Sequence, residues 1–103
     1  MFFNVTEARW FLLTNGKVYT LRKPRKRENC IEQLVKGSRY KHKSIGLGQV
    51  KLIRKNITHP RELIPYYHQS GFFTPNTWYA VAKEKSGERL DLYEVILCPL
   101  VSV

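Results

Sequence analysis

The hydrophobic and polar positions along the chain predict short strands and helices in alternation. The apolar opening MFFNV is typical of a short strand. Thr6 then stands where it can cap a helix through EARWFLLTN, with Glu7 in the first turn, and Gly16 stands where that helix would end. The next stretch, KVYTLRK, alternates between two faces until Pro24 interrupts it, which indicates a second strand with a basic exit.

The middle of the chain is richer in strand signals. ENCIEQLVKG fits a buried strand or a short helix, and we expect a strand. SIGLGQVKLIRKNI predicts a long strand, in which Gly46 and Gly48 indicate a bulge or a close approach to the backbone and would let the sheet curl. In THPRELIPYYHQSG, Thr58 and Pro60 mark a helix start, but Pro65 limits that helix to a short piece.

The last third of the chain predicts one more helix and a closing strand. In TPNTWYAVAKEKSG, Thr74 is the expected cap, Pro75 the first helical residue and Gly87 the stop, and RLDLYEVILCPL reads as the strand. Trp10 and Trp78 each lie on a predicted helix, so we expect them to anchor the helices to the sheet. This order predicts an α+β fold, a small curled β-sheet or open β-barrel with two or three flanking short helices.

Composition limits the number of domains and the class of protein. The chain has 103 residues, of which 43% are hydrophobic, so we expect a single domain over residues 1–103. No apolar run approaches the roughly 20 residues that span a bilayer, and the start lacks a signal-peptide pattern, so we expect a soluble cytoplasmic protein. Cys30 and Cys98 have no metal-ligand spacing and are expected in the core, although a disulfide between them stays open.

Positive charge is concentrated in one part of the chain. The net charge is +10, and thirteen of the eighteen Lys and Arg residues lie between Lys17 and Lys55, where the only acids are Glu28 and Glu32. A localised basic field favours an anionic partner. Because the charge lies on strand-like sequence and not on an amphipathic helix, nucleic acid is a better candidate than a membrane surface.

The basic segment supplies candidate contacts to a nucleic acid, for which we expect RNA. The predicted binding residues are Arg22, Lys23, Arg25, Lys26, Arg27, Arg39, Tyr40, Lys41 and Lys43. We expect these cations to gather on one side of the fold and to contact successive phosphates. Tyr19, Tyr40, Tyr66 and Tyr67 are candidates for stacking on unpaired bases, with packing in the core as the alternative for each. The alternative for the cations is a surface that only keeps the protein soluble.

The first segment, FFNVTEARWFLLTNGKVYTLR, resembles the opening of the ASCH domains, members of the PUA-like superfamily. The positions that carry the resemblance are Phe2, Phe3, Leu12, Leu13, Gly16, Lys17, Thr20, Leu21 and Arg22. SIGLGQVKLIRK, RELIPYYHQSGFF and DLYEVILC are similar to later segments of the family. The resemblance implies a small β-barrel flanked by helices, with a cleft beside the KVYTLR strand for RNA or a modified nucleoside.

The resemblance also implies a catalytic alternative. Some ASCH relatives are small amidohydrolases of acylated cytidine-type nucleosides, and their lysine and threonine fall on Lys17 and Thr20. A threonine hydroxyl needs a nearby base, and a desolvated lysine can lose its proton near neutral pH. The glutamate of the family falls near Asn76, and no acid stands between Glu62 and Glu84, so the carboxylate must come from elsewhere or be absent.

These observations rank the candidate functions. A nucleic-acid-binding module of ASCH or PUA-like type comes first. The alternatives are a small hydrolase, either an amidohydrolase or a ribonuclease, and an adaptor that presents the basic strand to an acidic protein surface. The histidines lack the spacing of a metal pair, and neither a phosphate-binding glycine loop nor a nucleophile elbow is present, so no metal or cofactor is predicted.

Overall fold

The structure, a computed structural model, describes residues 1–87 and 89–99. The two α-helices are α1 (Thr6–Asn15) and α2 (Pro75–Ser86), and the four strands are β1 (Lys17–Arg22), β2 (Asn29–Gly37), β3 (His42–Arg54) and β4 (Asp91–Leu97). Two short 3₁₀ segments, Pro60–Leu63 and Tyr67–Gln69, lie between β3 and α2. Neither helix in this part of the chain has the length and hydrophobicity that crossing a bilayer requires.

The strands form one antiparallel sheet in the order β1-β4-β3-β2. The last strand, β4, therefore lies between β1 and β3, and β1 and β2 form the two edges. The α+β class and the open four-stranded sheet agree with the predicted strand pattern. The helical alternative for ENCIEQLVKG is wrong, because this segment is β2 and pairs along its whole length with β3.

The first residues of the chain contact both edges of the sheet and so connect them. Phe2 forms a single parallel bridge with Val35 of β2, and the Phe3 amide donates to the Val35 carbonyl at 2.7 Å. On the opposite edge, Arg22 at the end of β1 donates a hydrogen bond to the Phe2 carbonyl. The predicted opening strand is thus only one bridge long, and the sheet is curled enough for an arginine to join its edges.

The glycines of β3 explain part of this curl. The register between β2 and β3 shifts where Leu34 pairs with Gly46 and Val35 with Ser44, which leaves Ile45 as an extra residue. This is the predicted bulge. The predicted close approach occurs at Gly48, where an added Cβ would lie 2.6 Å from Cδ1 of Leu34.

The core has two parts, one on each face of the sheet. The α1-side cluster consists of Phe3, Ala8, Leu12, Val18, Leu34, Val50, Tyr93 and Val95. The α2-side cluster consists of Leu21, Ile57, Leu63, Trp78, Ala82, Leu90 and Leu92. Val18 and Leu21 point to opposite faces of β1 because side chains alternate along a strand. Consequently β1 and β4 are covered on both faces.

Helix starts were predicted correctly at one of three positions. Thr74 caps α2, since its hydroxyl accepts a hydrogen bond from the Thr77 amide. The cap predicted at Thr6 is wrong, because Thr6 is the first residue of α1 and Val5 precedes it without a side-chain cap. The cap predicted at Thr58 is also displaced by one residue, to His59.

The predictions for the two tryptophans and the two cysteines were confirmed only in part. Trp78 is buried as predicted, but Trp10 is 62% exposed, so the prediction that Trp10 anchors α1 is wrong. Cys30 and Cys98 are only half-buried and both are free thiols, which excludes the disulfide that the sequence left open. Exposure of Trp10 shows that an aromatic on an amphipathic helix does not by itself mark the buried face.

Candidate functional site

A cavity of about 180 Å³ borders the free edge of β1. Thr20 and Leu21 both line this cavity, although neighbouring residues of a strand point to opposite faces, so the cavity lies beside the strand and not over one face. The segment leading into α1 forms one wall, and α2 forms the other. This is the position where the resemblance implied a cleft.

Aromatic and cationic side chains share the lining of this cavity. The rings are Phe2, Phe3, Phe72 and Trp78, and the polar residues are Asn4, Thr20, Arg22, Lys85 and Ser86. Among residues 1–87 and 89–99, no carboxylate is part of the lining. An engineered protein cavity of about 150 Å³ binds one benzene molecule, so this space suits one small planar ring. Two cations and several hydrogen-bonding groups suit a polar or anionic substituent on that ring.

Arg22 is fixed inside the fold by three contacts. Its Nε donates to the hydroxyl of Thr20 at 3.1 Å, its Nη1 donates to the Phe2 carbonyl, and its guanidinium lies 4.7 Å from the Phe3 ring centroid. Burial, together with the positive charge of Arg25, lowers the pKa of Arg22 to about 10 against the opposing attraction of Glu32. Arg22 therefore remains charged at neutral pH and faces the cavity, not the outer surface.

Arg25 also turns inward, toward Glu32 and Tyr93. Its Nη2 donates to Oε1 of Glu32, and its backbone amide donates to the Tyr93 hydroxyl at 3.2 Å. Oε2 of Glu32 lies 3.1 Å from the Met1 ammonium group. Arg25 Nη1 is buried without a hydrogen-bond partner. The Arg25 guanidinium is therefore paired with Glu32 and only 23% exposed, and its predicted contact with RNA stays a prediction.

Lys17 and Thr20, the predicted catalytic pair, are not brought together. They lie three positions apart on β1 and point to opposite faces, and only Thr20 lines the cavity. Lys17 Nζ lies 3.4 Å from Oε2 of Glu94 and 4.8 Å from the Tyr19 ring centroid. The interaction with Tyr19 raises the pKa of Lys17, with a further contribution from Glu94 that slight burial does not cancel. A general base at neutral pH needs the opposite shift.

The other predicted cations form two exposed groups. The loop group, Lys23, Lys26 and Arg27, precedes β2. The turn group, Arg39, Lys41 and Lys43 together with Tyr40, follows β2. Because β2 has nine residues, a rise of about 3.3 Å per residue separates the two groups by roughly 26 Å. The predicted cations therefore lie in two groups along β2 and not in one continuous cluster, and their contacts with a nucleic acid stay a prediction.

The four candidate tyrosines also divide. Tyr40 is 93% exposed at the turn between β2 and β3. Tyr19 and Tyr66 pack edge to face with ring centroids 5.1 Å apart. Together with Tyr67, they pack against the α2-side cluster. Among these four, only Tyr40 presents an open ring face for stacking.

Several residues of the cavity were not predicted from the sequence. Trp78, Val81, Ala82 and Lys85 line it from one face of α2, and their spacing of three, one and three positions is the helical period. That periodicity is a signal the sequence carried. Asn4 and Phe72 had no such signal, because loops of distant sequence position bring them to the cavity.

No group of three or more His, Cys, Asp or Glu side chains within residues 1–87 and 89–99 is placed to hold a metal ion. When the chain is compared with protein-family models, with curated proteins and with solved structures, none of the three comparisons finds a match.

Proposed function

We propose that this protein is a small nucleic-acid-binding domain of the ASCH or PUA-like type that binds RNA and holds one unpaired base in the cavity beside Thr20 and Arg22. The observation that carries the proposal is the cavity itself. It has the volume of one planar ring, aromatic walls and two cations in its lining, and none of the described carboxylates lines it. Stacking on aromatic side chains and hydrogen bonding to base edges are how proteins recognise unpaired bases.

Different residues of the cavity make different kinds of contact with the base. Phe2, Phe72 and Trp78 provide ring surfaces, and Arg22 and Lys85 provide positive charge for a phosphate or a base carbonyl oxygen. A base within an A-form duplex is stacked and paired, so it cannot enter a cavity that holds a single ring. The domain therefore selects unpaired RNA. Exposed cations elsewhere on the surface add affinity that does not depend on sequence.

The geometry gives less support to hydrolysis. Lys17 is held by Glu94 and Tyr19 on the face of β1 that Thr20 does not share. Asn76, where the family has its glutamate, does not line the cavity, and neither does any acid that the structure describes. An amide hydrolysis at Thr20 would therefore lack its base, and no described acid is placed to serve as its carboxylate. Binding without turnover needs neither.

A salt titration with matched RNAs tests the proposal. We expect a labelled single-stranded RNA to bind more tightly than a duplex of the same sequence, and its association constant to fall as salt rises. For a single strand, the logarithm of the constant falls by about 0.7 per logarithmic unit of salt for each phosphate contact. Fluorescence anisotropy at several salt concentrations measures both quantities. Equal affinity for duplex and single strand, or an affinity that does not change with salt concentration, would refute the proposal.

Filling the cavity should weaken binding to single strands. Val81 is half-buried in the cavity wall on α2, so Val81→Phe places a ring where the base would stack. Loss of one stacked base is worth about 1–3 kcal/mol, which is roughly 5- to 150-fold in Kd. The salt dependence should stay unchanged, because no cation is removed.

The matched control for Val81→Phe is Ala80→Phe, which adds the same ring to the exposed side of α2. Ala80→Phe should bind like the unaltered protein. Circular dichroism and chemical unfolding check that both variants fold. If the Val81→Phe protein folds and binds as tightly as the Ala80→Phe protein, no base enters the cavity.

A further inference from the structure

A second concave surface lies where the turn between β2 and β3 meets the segment leading into α1. It is an open groove of about 580 Å³. Its cationic lining consists of Arg9, Lys36, Lys41 and Lys43, accompanied by His42. Lys41 and Lys43 were among the predicted binding residues, whereas Arg9, Lys36 and His42 were not.

The floor of this groove is held by hydrogen bonds. The Asn4 side-chain amide donates to the Gly37 carbonyl at 2.7 Å, and its oxygen accepts from the Gly37 amide at 2.8 Å. Arg9 Nη1 donates to the Phe3 carbonyl at 3.0 Å. Gly37 has φ of 116°, and a Cβ there would lie 2.4 Å from the Lys41 carbonyl oxygen. Lys36, Lys41 and Lys43 therefore lie in or beside a turn that requires glycine at position 37 and that Asn4 ties to the first residues of the chain, whereas Arg9 comes from α1.

Within the part of the chain that the structure describes, nothing in the lining balances the charge of this groove, since no Asp or Glu lines it. The ion pairs within the described residues involve Met1, Lys17, Arg25, Arg54, Lys55 and Arg89 as the positive partners. None of the four groove cations is among them. Like charges held close together repel each other, so a polyanion in the groove would relieve a repulsion that the fold itself leaves in place.

The groove and the cavity are neighbours. Asn4 lines both of them. Phe2, a wall of the cavity, packs edge to face against His42 of the groove, with ring centroids 6.1 Å apart. A single extended polymer bound in the groove could therefore reach the cavity by passing over Asn4 and Phe2. The loop group has no such connection, since it lies at the other end of β2.

We propose that the groove formed by Arg9, Lys36, Lys41, His42 and Lys43 binds consecutive phosphates of the same single RNA strand whose unpaired base occupies the cavity. This inference rests on the proposed function and adds the path of the strand. The exposed Tyr40 ring at the adjoining turn is placed to stack on a base of that strand. A free phosphate or mononucleotide would leave most of the four positive charges unmatched, whereas successive phosphates of one strand match several of them.

Neutralising the groove tests this path. In the full chain, Lys36→Gln, Lys41→Gln and Lys43→Gln are combined, because all three side chains are exposed and fold loss is not expected. The control combines Lys23→Gln, Lys26→Gln and Arg27→Gln in the loop group, which removes the same charge. We expect the groove variant to bind single-stranded RNA roughly tenfold or more weakly at low salt. Its salt slope should be smaller by about 2, at about 0.7 for each of three lost contacts. The control should change both quantities much less.

The possible outcomes show whether the path of the strand, the proposed function or both are wrong. If the unaltered protein binds single-stranded RNA but the groove and control variants behave alike, the path is wrong and the proposed function stands. If the unaltered protein binds no RNA, both fail. If polyglutamate competes for the groove as effectively as RNA of equal charge, the groove recognises acidic polymers in general, and the RNA path is overturned. A groove variant weakened only for RNA longer than a mononucleotide supports the path directly.

Discussion

Replacing Gly71 by alanine should lower the free energy of unfolding by about 3 kcal/mol, the sum of left-handed strain and forced overpacking. Gly71 has φ of 89°, and an added Cβ would lie 2.3 Å from the Glu7 carbonyl oxygen and 2.6 Å from the Glu7 carbonyl carbon. Those atoms belong to the first turn of α1 and cannot move without displacing the helix. Chemical unfolding measures the loss.

Gly16→Ala is the matched control for Gly71→Ala. Gly16 ends α1 with φ of 77°, but an added Cβ there meets nothing within 4 Å. This variant should lose only the left-handed strain, about 1 kcal/mol. A Gly71→Ala protein as stable as the Gly16→Ala protein would mean that the loop does not press on α1. Because Phe72 follows Gly71 and lines the cavity, the Gly71 variant should also bind single-stranded RNA more weakly.

Replacing Glu32 by glutamine should cost about 2 kcal/mol of stability at neutral pH. Removing one partner of a fully buried ion pair costs about 3–5 kcal/mol, and we take a smaller value because the side chains of Glu32 and Arg25 are each 23% exposed. The cost arises because Arg25 and the Met1 ammonium then keep their charges without the carboxylate between them. Urea unfolding at neutral pH measures this loss.

The same replacement should flatten the acid side of the stability curve. Burial by itself raises the pKa of Glu32, but the hydrogen bonds from Arg25 and the Met1 ammonium outweigh it, and the pKa lies below its ordinary value. A carboxylate with a lowered folded-state pKa stabilises the protein above its unfolded-state pKa, and this contribution is lost as pH falls through the folded-state pKa. The unaltered protein should therefore lose more stability in acid than the Glu32→Gln protein.

Two further variants test whether the loss of stability comes from the Arg25–Glu32 pair or from removing any carboxylate. Glu7→Gln removes an exposed carboxylate from the first turn of α1 and should change stability by a few tenths of a kcal/mol. Arg25→Gln combined with Glu32→Gln removes both members of the pair, so its loss should be smaller than the sum of the two single losses. Additive losses would show that Arg25 and Glu32 do not stabilise each other.

The parts of the fold that the sequence predicted well depend on local rules. The alternation of KVYTLR predicted β1, the pair Thr74 and Gly87 bounded α2, and the glycines of β3 predicted the bulge. Each of these signals acts within a few residues, where backbone conformation follows directly from side-chain type. The same strand period also indicated that Lys17 and Thr20 face opposite ways, which weakens the catalytic pairing that the family resemblance implied.

Local rules could not predict whether the arginine side chains point into the fold or toward the surface. Arg22 contacts Phe2, and Arg25 contacts Glu32 and Tyr93, which lies 68 positions further along the chain. These contacts exist only after the sheet has curled and β4 has entered between β1 and β3. A run of adjacent cations in the sequence therefore divides in space, with two turned inward and the rest carried to the loop group.

By itself the sequence determined the helices and strands, the excess of positive charge in the first half, and the fold class, because propensity, periodicity and composition are properties of neighbouring residues. Only the tertiary structure decided which cations are exposed, which are interior, and that a cavity and a basic groove meet at Asn4. The physical reason is that burial and charge pairing depend on distances between residues far apart in the chain, and strand pairing sets those distances.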